Sequence, residues 1–478
     1  MEMDQFRVTF LPNDLTITVP AGTTLLRAQI DAGLSPDAPC AGHGLCGKCR
    51  VTVDGREVLA CQTAVDRDMT VHTAPEQTLS APDREPAVPV IPDGTDDYVL
   101  ACDVGTTTVA VYLLDGRTGA LLARQSAVNP QCAFGADVIS RIQHALRGGA
   151  EELKTAIGET LRRLCSEAAA QAGIDPAAIT RAAIAGNTAM HHLLLGIDPA
   201  PLVTPPYMPA VRRAMELGST RVLPNIAGFV GGDTVGCMTA TRFDQFEELT
   251  LLLDIGTNGE MVLGDRHRRV ACSAAAGPAF EGAKISCGMR GTEGAVEHVA
   301  LRGGQLTCTV IGGGEPKGLC GSGLLDLVAA LLDMGIIDES GRMAAGAFAL
   351  CPQVKLTQKD VREVQLAKAA IRAGIELLCA HLGRRPEDIR SVLLAGAFGS
   401  SMSPASACRI GMLPPVLLDR VHPIGNAAGA GAKLCALSAR EFAYSQTLAA
   451  GTEFLELASM PGFQDCFVDA LEFEEVTP

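Results

Sequence analysis

One short pattern occurs twice in the chain and constrains the fold more than any other stretch. LACDVGTTTVAVYLLD begins at Leu100, and LLLDIGTNGEMVLGD begins at Leu251. In each, an apolar run ends on an aspartate, Asp103 or Asp254, and passes through a Gly-Thr turn into a second alternating run. This reads as a β-hairpin with a carboxylate at its tip. Two such hairpins facing across a cleft present what a nucleoside triphosphate and its magnesium ion need. Gly105 and Gly256 let backbone amides approach phosphate oxygens without a Cβ in the way, and Thr106, Thr107, Thr257 and Asn258 add neutral donors. The aspartates suit magnesium, which takes oxygen ligands, dehydrates reluctantly and is held partly through water.

The 478 residues leave room for two to four domains at about 100–200 residues each. A net charge of −15 argues against a nucleic-acid partner, because phosphate neutralisation needs clustered Lys and Arg. No apolar run long enough to span a bilayer escapes interruption by charge, and the opening MEMDQF carries acids where a signal peptide needs base. A soluble, cytoplasmic protein with no membrane association is expected. Seventeen cysteines without an export signal favour reduced thiols over a disulfide framework. Most stand singly in apolar segments, as Cys102, Cys165, Cys379 and Cys435 do, and read as small buried hydrophobes.

Four are grouped. Residues 1–74 read as strands around one helix: FRVTFL and LTITVP form a hairpin, Thr23 or Thr24 caps LLRAQIDAGL, and RVTVDGREVLAC and MTVHTA complete a β-grasp order. Within this unit Cys40, Cys46, Cys49 and Cys61 give CxxxxxCxxC and a fourth Cys after a hairpin. The plant-type [2Fe-2S] framework differs by one residue in its first gap. Gly42, Gly44 and Gly47 let the loop wrap and turn amides towards sulfur. The competing reading is a tetrahedral zinc site, which usually brings two CxxC-like pairs instead of three ligands in one loop. His43 reads as a loop histidine.

Residues 75–97, with five prolines in PEQTLSAPDREPAVPVIPDGTDD, read as a semi-extended linker that lets this head swing. Behind it the body repeats itself. The passage through Pro176, Ile179 and Ala185-Gly186 matches that through Pro386, Ile389 and Ala395-Gly396. With the paired hairpins this is a duplication of about 140–180 residues per half, an α/β body of two lobes at about 98–245 and 246–440 closing on a cleft, followed by a C-terminal segment. Glycine-rich loops carrying Asp233 and Glu281 stand where cleft walls would be. His191 and His192 read as capped or half-buried residues at a helix start.

This duplicated pattern resembles the actin, sugar kinase and Hsp70 superfamily of ATP-binding folds. The resemblance implies that residues 103–107 and 254–259 are the two phosphate loops, with Asp103 and Asp254 organising magnesium and the attacking water. It implies that Gly396, Ala397 and Gly399 form the adenosine loop, although Ala397 stands where the superfamily usually has a second glycine. The stretch GLCGSGLLDL, with Gly321 and Gly323 opening a helix, offers an alternative nucleoside site. Glu260 either orients the water or lies on the outward face of its strand.

Taken together, the cysteine head, the linker, NPQxxxGADVISRI, GNTAMxHLLLG, DIGTNGE, GLCGSGLLDL and the segment 461–467 resemble the reductive activators of corrinoid-dependent methyltransferases and corrinoid iron-sulfur proteins. The resemblance implies ATP-dependent transfer of one electron from a [2Fe-2S] cluster to cob(II)alamin on a corrinoid protein, giving cob(I)alamin. It also implies an upstream low-potential electron donor, and it allows a homodimer. A plant-type cluster lies near about −400 mV, so an acceptor of much lower potential needs ATP to drive its reduction. Two features depart from some members: no C-terminal CxxCxxCxxxC run is present, and no room is expected for a middle domain between linker and ATPase. The alternatives are a small-metabolite kinase with a redox-switch cluster and a non-enzymatic ATP-binding redox sensor.

Overall fold

The structure, a computed structural model, describes residues 4–34, 36, 38, 42, 44, 47–73, 89–94 and 96–474. Cys40, Cys46, His43 and the greater part of the Pro-rich stretch therefore lie outside the described residues.

The N-terminal unit is a five-stranded sheet in the order Leu15–Pro20, Gln5–Leu11, Met69–His72, Arg50–Val53, Arg56–Leu59. The first and last strands in sequence pair in parallel at its centre, the signature of a β-grasp. Alternation along Gln5–Leu11 buries Val8 and Phe10 against Leu25 and Ala28 of the helix Leu25–Asp31. Of the two expected caps, Thr24 is the one used, its hydroxyl accepting from Arg27 N at 3.2 Å. Capping satisfies one of the amides that the first helical turn leaves without a partner.

Two six-stranded sheets form the body. The first runs Met215–Leu217, Thr220–Val222, Ile179–Gly186, Tyr98–Val104, Thr108–Asp115, Leu121–Val128. The second runs Val421–Gly425, Ser391–Ala395, Thr250–Ile255, Gly259–Gly264, Arg269–Ala274, Glu453–Phe454. In each lobe an antiparallel meander follows the acid-tipped strand, and a long helix, Ala150–Ala172 or Gln358–His381, returns the chain for a parallel strand on the other side. Each return passes through a short 3-10 turn, Pro176–Ala178 or Pro386–Asp388, where the repeated prolines stand. The duplication is thus a repeated topology and not only a repeated motif.

The lobes meet where the helices Gly232–Thr241 and Ala427–Leu437 cross. Gly236 and Gly431 make the crossing close: a Cβ on Gly431 would stand 2.1 Å from Gly236 O, and one on Gly236 would stand 2.8 Å from Ala428 O. This contact brings the N-termini of both helices to the floor of the cleft. Two straps hold the periphery. Asp93 pairs with Arg181 at 3.1 Å and accepts from Ala439 N at 2.9 Å, so the last part of the Pro-rich stretch is fastened to the body. At the other end, Gln365 donates to Leu471 O at 2.8 Å, and the buried Lys368 donates to Glu472 O, fixing the C-terminal segment on the long second-lobe helix.

Candidate functional site: an acid-floored cavity and a cysteine loop behind its wall

A cavity of about 750 Å³ lies between the lobes. Its first wall is the turn after Asp103. Asn129 donates to Gly105 O at 2.8 Å and the fully buried Arg141 donates to Thr106 O at 2.6 Å, drawing both carbonyls back into the lobe. Because the C=O and N–H of one trans peptide point in opposite directions, the amides of Thr106 and Thr107 are turned to the cavity. Asn187 caps the helix Thr188–Leu195 and donates to Thr106 Oγ1 at 2.8 Å, fixing that hydroxyl. In the second wall Gly256 N donates to Asn258 O at 2.8 Å and closes the matching turn. Gly396, at φ +79°, passes so close that a Cβ there would lie 2.6 Å from Asp254 Oδ1.

Asp103, Asp233, Asp254 and Glu260 line the floor. Asp254 and Glu260 are directly opposed on neighbouring antiparallel strands, which puts both side chains on one face; the open question about Glu260 is answered in favour of the cavity. Burial, followed by repulsion from Asp233 and Asp103, pushes the Asp254 carboxyl up to about 7. Burial pushes Asp233 up to about 6 and Glu260 well above the usual range, the latter with repulsion from Asp233 and Asp254. Asn426 answers Asp103 with a neutral donor, Nδ2 to Oδ2 at 2.9 Å, while its own Oδ1 caps the crossing helix through Gly429 N. Among the described residues no three of these acids converge as direct ligands of one ion.

Glu281 joins the two walls. Its Oε2 accepts from Thr107 Oγ1 at 3.2 Å and from Thr257 Oγ1 at 3.0 Å, so one carboxylate occupies the hydroxyls of both turns. Burial raises its pKa, and the two threonines oppose that shift.

Both glycine-rich loops proposed for a nucleoside line the same cavity, Gly321 and Ser322 on one side and Gly396, Ala397 and Phe398 on the other. Phe280 and Phe398 stack at 4.9 Å and 12° between them. The amides opening the helix Gly321–Asp333 have no side-chain cap, which leaves them available to an anion or ribose. Two expected residues are elsewhere. Gly323 lies beneath Val296, where a Cβ would meet its carbonyl at 2.1 Å, and Gly399 packs on Leu394. Both serve close packing of helix on strand and do not line the cavity. Asn187, from the GNTAMxHLLLG stretch, and Phe398, between the two loop glycines, also line it, as does Asn426, which no local pattern marks. His192 is bonded to Thr188 O and Ala210 N and is structural.

In the head, Ala60 N donates to Cys49 O at 2.8 Å, so the hairpin sets Cys61 beside Cys49. A Cβ on Gly42 would be 3.7 Å from Cys61 Cβ, and one on Gly44 would strike the Gln62 side chain at 2.1 Å. Gly42 and Gly44, which stand between the first and second cysteines, therefore lie against Cys61 and Gln62, the neighbourhood that one cluster held by thiolates from both segments requires. The donor chemistry and the tight glycine loop fit a [2Fe-2S] cluster.

Three family models match in order: a 2Fe-2S iron-sulfur cluster binding domain over residues 8–72, the RACo middle region over 98–246, and the C-terminal domain of RACo, the ASKHA domain, over 248–477. The middle-region match falls on the residues of the first lobe. The chain is 36% identical over 413 residues to a corrinoid activation enzyme, RamQ, of Eubacterium limosum, covering 78% of this chain and 69% of that protein. It is 28% identical over 360 residues to a [Co(II) methylated amine-specific corrinoid protein] reductase of Methanosarcina barkeri, covering 66% of each. Among solved structures, it superposes on a reductive activator for corrinoid,iron-sulfur protein with TM-score 0.71 and 30% identity over 98% of both chains. No helix among the described residues is long and apolar enough to cross a membrane. On the three matched models and the 36% identical relative, the chain belongs to the family of reductive activators of corrinoid proteins.

Proposed function

We propose that this protein is a cytoplasmic, ATP-dependent reductive activator that passes one electron from its head to a corrinoid protein, converting cob(II)alamin to cob(I)alamin. The head is residues 1–74, the linker 75–97, and the ATPase body 98–478. The cluster held by Cys40, Cys46, Cys49 and Cys61 supplies a one-electron reductant, refilled by a low-potential donor. The chain's own residues do the rest. The Thr106 and Thr107 amides, with the Thr257 and Asn258 turn, hold the phosphate oxygens. The loops at Gly321 and Gly396 to Phe398 flank the nucleoside. Asp103 and Asp254 hold Mg2+ through its water shell, a role supported by four acids that surround a space without closing as a direct cage. Glu260, beside Asp254, orients the attacking water.

The observation carrying this reading is that two acid-tipped turns, linked through one carboxylate, face a single cavity in a chain that also holds a thiolate cluster loop. Uphill electron transfer requires two states of different contact with the acceptor, and a two-lobed cleft supplies them. The test is anaerobic mixing of the reduced protein with a cob(II)-loaded corrinoid protein, followed by visible absorption. Cob(I) bands that form only with Mg·ATP support the reading. A phosphorylated metabolite with no corrinoid change would replace it with a kinase.

A further inference from the structure

The head is seated on both lobes. On the first, Arg27 forms an ion pair with Glu152, which also bonds His144 at 2.9 Å, and Ile30 packs against the lobe's core. On the second, Lys48, which stands between Gly47 and Cys49 in the cluster loop, donates to Gly282 O at 2.6 Å and Gly288 O at 3.1 Å. Those carbonyls belong to one tight loop. A Cβ on Gly288 would stand 2.4 Å from Gly282 O, and one on Gly282, at φ +75°, would stand 2.7 Å from Met289 N and O. Such a loop has no slack to absorb a displacement at one end.

Its ends are in the nucleotide cavity. Glu281 immediately precedes Gly282 and holds the hydroxyls of Thr107 and Thr257, while Met289 and Arg290 immediately follow Gly288 and line the cavity wall. The peptide loop that grips the cluster loop on one side therefore bears, on the other, an anion seated on the threonines of both phosphate turns.

We infer that Glu281 is a stand-in anion and Lys48 a latch: entry of a nucleoside triphosphate displaces the Glu281 carboxylate from Thr107 and Thr257, shifts the loop 281–290, and frees the head from its seat. Two anions cannot share the same hydroxyl donors, so the phosphate and the carboxylate compete. Lys48 is a positioning residue that acts through the loop and touches no nucleotide. Because Arg27 and Ile30 hold the first lobe while Lys48 holds the second, any rotation between lobes also strains the seat. Linkage is reciprocal: whatever breaks the latch must tighten nucleotide binding. The inference rests on the proposed nucleotide site but not on the corrinoid partner.

Hydrogen-deuterium exchange on the anaerobically prepared, cluster-loaded full chain reads the latch directly, with and without Mg·AMPPNP and with no corrinoid protein present. In the wild type, amides of residues 47–50 and 282–290 should exchange several-fold faster with nucleotide. In Lys48→Met the 47–50 amides should exchange fast without nucleotide and change little when it is added, and Lys48→Arg should restore the response. Glu281→Gln, far in sequence from the cluster ligands and so independent of head folding, should bind Mg·AMPPNP several-fold more tightly. Wild-type exchange that ignores nucleotide, or a Glu281→Gln variant that binds it no better, would overturn the latch. A responding latch with no cob(I) formed would overturn the corrinoid reading alone.

Discussion

The two lobes carry the same hairpin and use it differently. In the first, Asp103 faces Ala110 across the strand pair and finds a neutral donor in Asn426, and Asn187 braces the Thr106 hydroxyl. In the second, Asp254 faces Glu260, and Gly396 leaves room for the carboxylate instead of answering it. One copy of the motif is a hydrogen-bonded holder; the other is a crowded pair of buried acids. The repeated topology gives a symmetric frame, and single side chains set the surroundings of its two aspartates apart: Asn426 at Asp103, Glu260 and Gly396 at Asp254.

If the second hairpin holds the cation, Asp254→Asn should have the largest effect, lowering ATP turnover about 10²–10³-fold, the scale of a lost charge-stabilising group. Steady-state phosphate release checks this, and a loss under tenfold would sink the assignment. Restoring symmetry should be costly: Ala110→Glu buries one more carboxylate opposite Asp103 and should destabilise the protein by about 2–3 kcal/mol, read by denaturant melts without nucleotide. No change in midpoint would show that the lobes are less different than their acids suggest. In the first lobe, Asn187→Ala removes a helix cap and the Thr106 brace and should cost about 1 kcal/mol, with weaker nucleotide binding. A stability loss with unchanged affinity would leave the cap and remove the brace.

A graded effect sharpens the comparison through pH. Asp254 has a folded pKa of about 7, above its ordinary value of 3.8, so between those values the folded state binds more protons than the unfolded one. Nucleotide-free stability contributed by this group is therefore fully present at low pH and is lost as pH rises towards and past 7. From pH 5.5 to 7.5 the linkage amounts to about 2 kcal/mol, and the Tm of the wild type should fall relative to Asp254→Asn by about 4–8 °C. A relative rise would mean that the acids are not crowded. Mg·ATP should recover more stability at the alkaline end.

Local pattern made the acid-tipped turns visible, because the Asp-before-Gly-Thr turn stands twice, each time followed by an alternating strand, and the spacing of Cys49 and Cys61 from their partners made the cluster loop visible. The same reasoning overcounted glycines. Gly323 and Gly399 look like their loop neighbours in sequence, yet they permit close packing of backbone on backbone. It also had no means of finding Asn426, which reaches Asp103 across 323 residues, or of choosing the face of Glu260, which depends on strand register.

The chain's sequence by itself determined the head and the repeated hairpins, since these rest on periodicity and on spacing between near neighbours, and its motifs in order carried the resemblance to the family. Only the tertiary structure decided that Glu281 bridges both turns, that the helices at Gly236 and Gly431 bring the floor together, and that Lys48 lies on the far side of the nucleotide wall. Those are contacts between segments distant along the chain. Their identity is set by how the sheets and helices pack in space, and no short window of residues encodes it.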